Sequence, residues 1–409
     1  MTQAHTEKDI RPAPGALNGL KVLDLATFIA GPYCATFLAE FGADVVKVEL
    51  PGSGDPVRKF GTPTECGDTL VWMSEGRNKR SIELDLRSTE GAETLKKLVA
   101  EADVLCENFQ VGTLEKWGIG PDALMEMNPG LVIVRVSGWG QTGPYAHKPG
   151  FGSLIEGMSG FAAMTGFPDR EPLLPPLALA DMIAGLAGYG AVLAAIRARD
   201  QGLARGQVVD LSLFEPLFSI LGPMATAHAI DGSVPERSGN WGDVAAPRNV
   251  YECADGSYVT MSATMQSMWE KLAAAIGRPE LVKDPRFLTN PDRVQNREEL
   301  EAIVGAFFAQ RTVIENLAYF EERGITVGSI CDIADLMKHP YIQGRQVVRT
   351  YADPDHGSLP MHAPFPRLSE TPATVRSPAP ARGQNSDEIL TEIGLTADQI
   401  ATLRHKGIV

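Results

Sequence analysis

Between Leu20 and Ser212 short apolar runs take turns with stretches of helical period, an order that few architectures accept. Strand-like runs fall at Leu20–Leu25, Ala43–Glu49, Arg80–Leu86, Asp103–Glu107, Leu131–Ser137 and Gln207–Ser212. Helix-like stretches fall at Pro32–Phe41, Glu90–Ala100, Thr113–Trp117, Pro121–Met127 and Asp181–Arg199. Strands that alternate with helices build βαβ units and a mostly parallel sheet. The expected fold class is therefore α/β, with a Rossmann-like large domain.

Beyond that region the pattern changes. It loosens over Ile220–Gly242, then suggests a hairpin across Tyr251–Ser262 around the turn Ala254-Asp255-Gly256. Helices are expected at Met265–Ile276, Arg297–Ala309 and Val313–Gly324. This reads as a smaller α+β domain over 226–340, set between a large-domain part at 16–225 and a C-terminal return at 341–409. Thr350–Gln384 is rich in proline and is expected to run over the surface. Two short helices close the chain, with capping boxes at Asn385/Glu388 and Thr396/Gln399 and stops at Gly394 and Gly407.

Composition removes several function classes. A chain of 409 residues is long enough for a sizeable core without disulfide staples. Its 37 basic and 51 acidic residues give a net charge of −14, and no basic tract stands out, which argues against nucleic-acid binding and against an anionic membrane surface. Five widely spaced cysteines without a CxxC pair, and seven histidines without HxxxH or HExxH spacing, offer neither a disulfide framework nor a metal site. No secretory leader is read at Met1–Gly15, and no run of about 18 apolar residues suggests a membrane span. The expectation is a reduced, cytoplasmic enzyme.

Two places invite chemistry. Gly138–Gly152 is a glycine- and proline-rich loop leaving the carboxyl end of a strand, where open α/β sheets bind ligands, although a structural turn cluster reads the same way. The first β–α turn, Ala26-Thr-Phe-Ile-Ala-Gly-Pro32, lacks GxGxxG, so a dinucleotide site is poorly supported. Asp181 follows the apolar run Leu173–Ala180 and opens a Gly/Ala-rich helix. It reads as an N-cap. That reading is compatible with a nucleophile, since a helix N-terminus keeps a carboxylate ionised. Along that helix Ala184, Gly188, Ala191 and Ala195 form a small-residue face that invites close packing.

The segments Gly19-Leu-Lys-Val-Leu-Asp-Leu-Ala, Phe41-Gly-Ala-Asp-Val-Val-Lys-Val-Glu49, Gly52-Ser-Gly-Asp55, Asn78-Lys-Arg-Ser-Ile-Glu-Leu-Asp-Leu86, Glu107-Asn-Phe-Gln-Val-Gly112, Ala180-Asp-Met-Ile-Ala-Gly185 and Gly206-Gln-Val-Val-Asp-Leu-Ser212 occur together. In that combination the chain resembles the class III CoA-transferase family over nearly its whole length. The resemblance implies transfer of CoA between carboxylic acids, with coenzyme A or acyl-CoA as substrate and no tightly bound cofactor or metal. It also implies an interlocked, ring-like homodimer.

By the same resemblance Asp181 falls on the nucleophile, which forms an aspartyl-CoA thioester by way of mixed anhydrides. Ile29, Ala30, Leu84, Arg87, Asn108, Phe109, Lys116 and Lys148 fall on CoA-contacting positions. Arg87, Lys116 and Lys148 would pair with phosphates, and Phe109 would offer adenine a stacking surface. Arg248 would meet a second carboxylate of the acceptor acid. Departures from relatives narrow the reading: a formyl-CoA transferase has glutamine at the Ile29 position and glutamate at the Gly152 position, so oxalate/formate specificity is not supported. The related α-methylacyl-CoA racemases carry a His-Asp pair where this chain has Phe151 and Gly152. A racemase-like enzyme and a catalytically inactive CoA-binding subunit are the alternative readings.

Overall fold

The first four strands, each of four to six residues, are almost wholly buried, as expected of a parallel sheet covered on both faces. A computed structural model describes residues 15–409 apart from position 243. The strands are β1 (Lys21–Asp24), β2 (Asp44–Glu49), β3 (Lys79–Glu83), β4 (Val104–Glu107), β5 (Val132–Ser137) and β6 (Gln207–Ser212). They lie in the order β3-β2-β1-β4-β5-β6. Every neighbouring pair is parallel, with Val22 opposite Val45, Leu23 opposite Leu105 and Ile133 opposite Val208. This is the doubly wound order whose chain reversal, between β1 and β4, leaves a crevice at the strands' carboxyl ends.

Two compact units divide the chain. The first holds the residues up to Ser159, then Pro175–Gly222 and Gln346–Val409. Its core gathers Leu23, Val46, Ile82, Leu105 and Ile133 from the sheet with Ile389, Leu390 and Ile400 from the two closing helices, Ser386–Glu392 and Ala397–His405. The second holds Gly160–Leu174 and Pro223–Arg345. There an antiparallel sheet of β7 (Arg248–Glu252), β8 (Tyr258–Ser262) and β9 (Val327–Ser329) packs with three helices around Trp269, Phe287, Phe308 and Phe320.

Several expectations need correction. Helix Phe214–Ile220 runs up to the stretch where the sequence pattern loosened, and helix Met224–Asp231 lies within it; the second buries none of its residues, so it has no apolar stripe to read. The proline-rich run contains a hairpin of β10 (Val348–Asp353) and β11 (Gly357–His362). Pro360 is tolerated there because a two-stranded ribbon consists only of edges. The rest of that run lies largely at the surface, as expected, and is tied down at points: Asn78 Nδ2 donates to the Thr374 carbonyl at 2.8 Å, and Trp72 Nε1 and Arg58 donate to the Pro380 carbonyl at 3.2 and 3.1 Å.

The Asn385 capping box does not form. The Asn385 side-chain oxygen Oδ1 instead accepts from the Ser81 N–H, and its Nδ2 donates to Glu388 Oε2. The box at Thr396/Gln399 does form.

The long helix runs over Leu179–Asp200, so Asp181 is not its N-cap but sits inside the first turn, with Ala178 as the flanking residue. That helix is also long and apolar enough, by length and composition, to cross a membrane. A search for unbroken apolar runs overlooks it because Gly185, Gly188, Tyr189 and Gly190 interrupt the run without adding charge. Ala180, Ala184, Gly188, Val192 and Ala195 are nevertheless buried within this unit. The small-residue face meets helix Ala30–Glu40 of the same chain: a Cβ on Gly185 would stand 2.8 Å from the Ala30 carbonyl oxygen, and one on Gly188 3.4 Å from Cys34 Sγ.

Candidate active site

The crevice between β1 and β4 is built from side chains rather than from a glycine turn. Asn108, just past β4, grips the loop after β1 at both main-chain groups of Thr27. Its Oδ1 accepts from the N–H at 2.8 Å and its Nδ2 donates to the carbonyl at 2.7 Å. Phe28 follows in the left-handed region at φ 62°, and its N–H donates to Asp55 Oδ1 at 3.1 Å. A non-glycine residue in that conformation costs on the order of 1 kcal/mol or more and persists only when its surroundings fix it.

The fixing group is a fully buried set of charges. Lys47 Nζ lies 2.7 Å from Asp55 Oδ2 and 3.7 Å from Asp24 Oδ1, and it also donates to the Ala26 carbonyl. Lys79 Nζ meets Asp24 Oδ2 at 3.0 Å and donates to the Pro32 carbonyl at 2.8 Å. Burial disfavours the charge on Lys47, and Asp24 and Asp55 overcome it, holding its pKa above the ordinary lysine value. Alongside, Arg58 forks onto Glu49 with two bonds of 2.7 Å. Sequence reasoning missed Asp24, Lys47, Asp55 and Lys79 as a unit. The available signal was a lysine inside the otherwise apolar run Val45-Val-Lys-Val48.

Ile29 and Ala30 continue the gripped loop, and Phe109 follows Asn108, so these four expected CoA-contact residues lie on two segments that Asn108 ties together. Phe109 is half-buried with its ring edge-on to Trp117, centroids 5.2 Å apart. Leu84 offers CoA less surface than the other expected contacts. At 1% exposure its side chain belongs to the core, so it has only main-chain atoms to offer a ligand. The basic residues are exposed: Arg87 is engaged by Asp85 at 2.7 Å, Lys148 lies 3.4 Å over the Tyr145 ring, and Lys116 ends the turn Thr113–Lys116. Arg248 opens β7 in the second unit with its side chain exposed.

The glycine-rich loop after β5 doubles back on itself. A Cβ on Gly138 would lie 2.5 Å from the Gly150 Cα, so the two main chains touch where no side chain fits. This delivers the chain into helix Gly152–Met158, whose first residue faces Asp181. Asp181 is in turn one helical turn before Gly185, on the face that packs against Ala30, which sets it toward the Ile29–Ala30 end of the crevice. Its carboxyl is half-buried. Burial pushes its pKa up to about 6, the charge of Glu156 adds to the rise, and a bond from its own main-chain N–H opposes it. At neutral pH such a group is ionised yet poorly solvated, the state in which a carboxylate is a useful nucleophile. Among the described residues no group of three or more His, Cys, Asp or Glu is placed to hold a metal ion.

The doubly wound sheet lacks a dinucleotide turn, and a partly desolvated carboxylate opens its long helix. Comparison with known proteins gives the family. A family model described as CoA-transferase family III matches residues 17–386, and the chain belongs to that family. It is 41% identical over 398 residues to a succinyl-CoA–D-citramalate CoA-transferase of Chloroflexus aurantiacus, covering 97% of this chain and 98% of that one. It is 31% identical over 377 residues to a succinyl-CoA:glutarate CoA-transferase of Mus musculus, covering 92% and 86%. Among solved structures, a CAIB/BAIF family protein from Brucella suis superposes with a TM-score of 0.81 at 34% identity, covering 93% of this chain and all of that one. This chain is a CoA-transferase.

Proposed function

We propose that the protein moves CoA from succinyl-CoA to a small dicarboxylic acid through an aspartyl-CoA thioester on Asp181. The observation that carries the mechanism is the half-buried Asp181 carboxylate, raised to about 6 and facing a residue with no side chain, Gly152. Relatives named for succinyl-CoA with citramalate, malate or glutarate support the substrate class.

In the proposed sequence an Asp181 oxygen attacks the thioester carbonyl, the C–S bond breaks, and CoA leaves as thiolate from a mixed anhydride. The thiolate attacks the Asp181 carbonyl of that anhydride and expels succinate, leaving aspartyl-CoA. The acceptor carboxylate then attacks Asp181, the thiolate leaves again, and its return to the acceptor's carbonyl frees the Asp181 carboxylate. No water is consumed, and each step exchanges one acyl bond for another, as covalent catalysis requires. Ile29, Ala30, Asn108 and Phe109 hold the CoA end in this reading, and Arg87, Lys116 and Lys148 meet its phosphates.

The test is a panel of mono- and dicarboxylic acids offered with succinyl-CoA or acetyl-CoA, with new thioesters read by mass. Transfer from succinyl-CoA to C4–C5 dicarboxylates is expected; transfer confined to monocarboxylates would overturn the substrate class. Two copies of the chain form the working particle in this reading.

A further inference from the structure

Glu156 is a buried acid that the mechanism above does not use. It sits one turn after Gly152 in helix Gly152–Met158, so the two share a face, and it is only 3% exposed. Buried carboxylates are rare unless something holds them. What holds this one is the start of another helix: Glu156 Oε1 accepts from the Ala180 N–H at 3.2 Å, one of the donors a first helical turn leaves unsatisfied. Ala180 immediately precedes Asp181.

The two carboxylates meet across Gly152. The position a Cβ would take there lies 2.3 Å from Asp181 Oδ2 and 3.8 Å from Glu156 Oε1. Those distances laid end to end put the two oxygens within about 6 Å, the range in which one carboxylate opposes ionisation of another. No basic side chain is among the groups that act on Asp181. Elements packed on helix Leu179–Asp200 bring Tyr33, Cys34 and Glu40 from helix Ala30–Glu40, Arg135 from β5, Asp210 from β6 and Glu215 from helix Phe214–Ile220. Of the charged groups, Glu156 is the one that bears on Asp181.

We propose that Glu156 is a positioning residue for Asp181, anchoring the first turn that carries it and keeping beside it a negative charge whose repulsion is relieved when Asp181 is acylated. The inference rests on the aspartyl-thioester reading. Acylation turns the Asp181 carboxylate into a neutral acyl group while the departing thiolate or carboxylate carries the charge away. Repulsion from Glu156 therefore raises the resting enzyme relative to the covalent intermediate. The free carboxylate is correspondingly more basic and more nucleophilic.

The test uses the full-length enzyme with succinyl-CoA and hydroxylamine trapping, together with pH–rate profiles of Glu156→Gln and Glu156→Asp. Glutamine keeps an oxygen for the Ala180 N–H and loses the charge; aspartate keeps the charge and loses the reach. Glu156→Gln is expected to shift the acid limb of kcat/KM down by about one pH unit, lower kcat by about tenfold and leave the KM for succinyl-CoA within about threefold. It should also lower the fraction of Asp181 trapped at equilibrium. Glu156→Asp should keep the wild-type acid limb while losing rate, and it serves alone if the glutamine variant does not fold. An unshifted limb in Glu156→Gln, or an equal shift in both variants, overturns the role of Glu156 while Asp181 still traps. Failure to trap Asp181 in the wild type would instead remove the nucleophile, and this inference with it.

Discussion

Gly152 and Asp181 face each other so closely that a single added methyl group at Gly152 would stand 2.3 Å from Asp181 Oδ2. Gly152 begins a helix, with no positive φ, so its backbone accepts alanine readily. The constraint is the space in front of the carboxylate. Gly152→Ala should leave the fold and thermal stability near wild type but reduce kcat by about a hundredfold, since displacement of a reacting atom by about 1 Å has that effect. Steady-state kinetics beside a melting curve would check this; wild-type kcat in the variant would mean the approach to Asp181 lies elsewhere.

Asp181 should also shape the pH dependence of stability. Its folded-state pKa of about 6 lies above its usual value of 3.8, so the native state binds more protons between those limits. The stability tied to the protonated acid is fully present below about 4 and is lost as pH rises through about 6. Asp181→Asn removes this titration. Relative to wild type it should gain roughly 3 kcal/mol or less between pH 4 and pH 7.5, measured by urea unfolding. An unchanged difference across that range would contradict the desolvated-carboxylate account.

The buried charges beneath Phe28 predict a different failure. Lys47→Met leaves Asp24 and Asp55 facing each other with one cation fewer, and loss of one partner of a buried pair costs about 3–5 kcal/mol. Beyond the loss of stability, any folded fraction should bind CoA more weakly, because Lys47 holds both the Ala26 carbonyl and, through Oδ2, the Asp55 carboxylate whose Oδ1 receives the Phe28 N–H. Calorimetric titration with CoA at low temperature would separate the two effects. Wild-type affinity in the folded fraction would detach the charge set from the loop.

Association can be tested without any mutation. If two copies form one working unit with no stable folded monomer, dilution should leave the particle intact, and denaturant should dissociate and unfold it in a single transition. Sedimentation and circular dichroism across the same denaturant series read both processes. A folded, active monomer at low concentration would refute it.

How much of this was legible in the sequence depends on what made each element. Strands β1, β2, β4 and β5 are almost wholly buried and read as largely apolar runs, so their positions follow from pattern to within a few residues. Helix Met224–Asp231 buries nothing and left no periodicity to find. The β10–β11 hairpin was hidden within a run noted only for its prolines, although at Pro360 proline occupies an edge where no N–H is missed. In the site, Asp181 stood out through its apolar approach and helix, although as a first-turn residue rather than a cap. Glu156 did not stand out. Its partner, the Ala180 N–H, is 24 residues away and identifiable only once two helices are packed. At Leu84 a family position says nothing of which atoms face a ligand, and burial leaves only its main chain.

The central claim is that Asp181 carries the CoA. The direct measurement is to incubate the protein with succinyl-CoA alone, add hydroxylamine, digest and map the product by mass spectrometry. The account predicts a hydroxamate on Asp181, with neither label nor transfer in Asp181→Ala. Transfer that proceeds with Asp181 unmodified, or persists at full rate in Asp181→Ala, would contradict it.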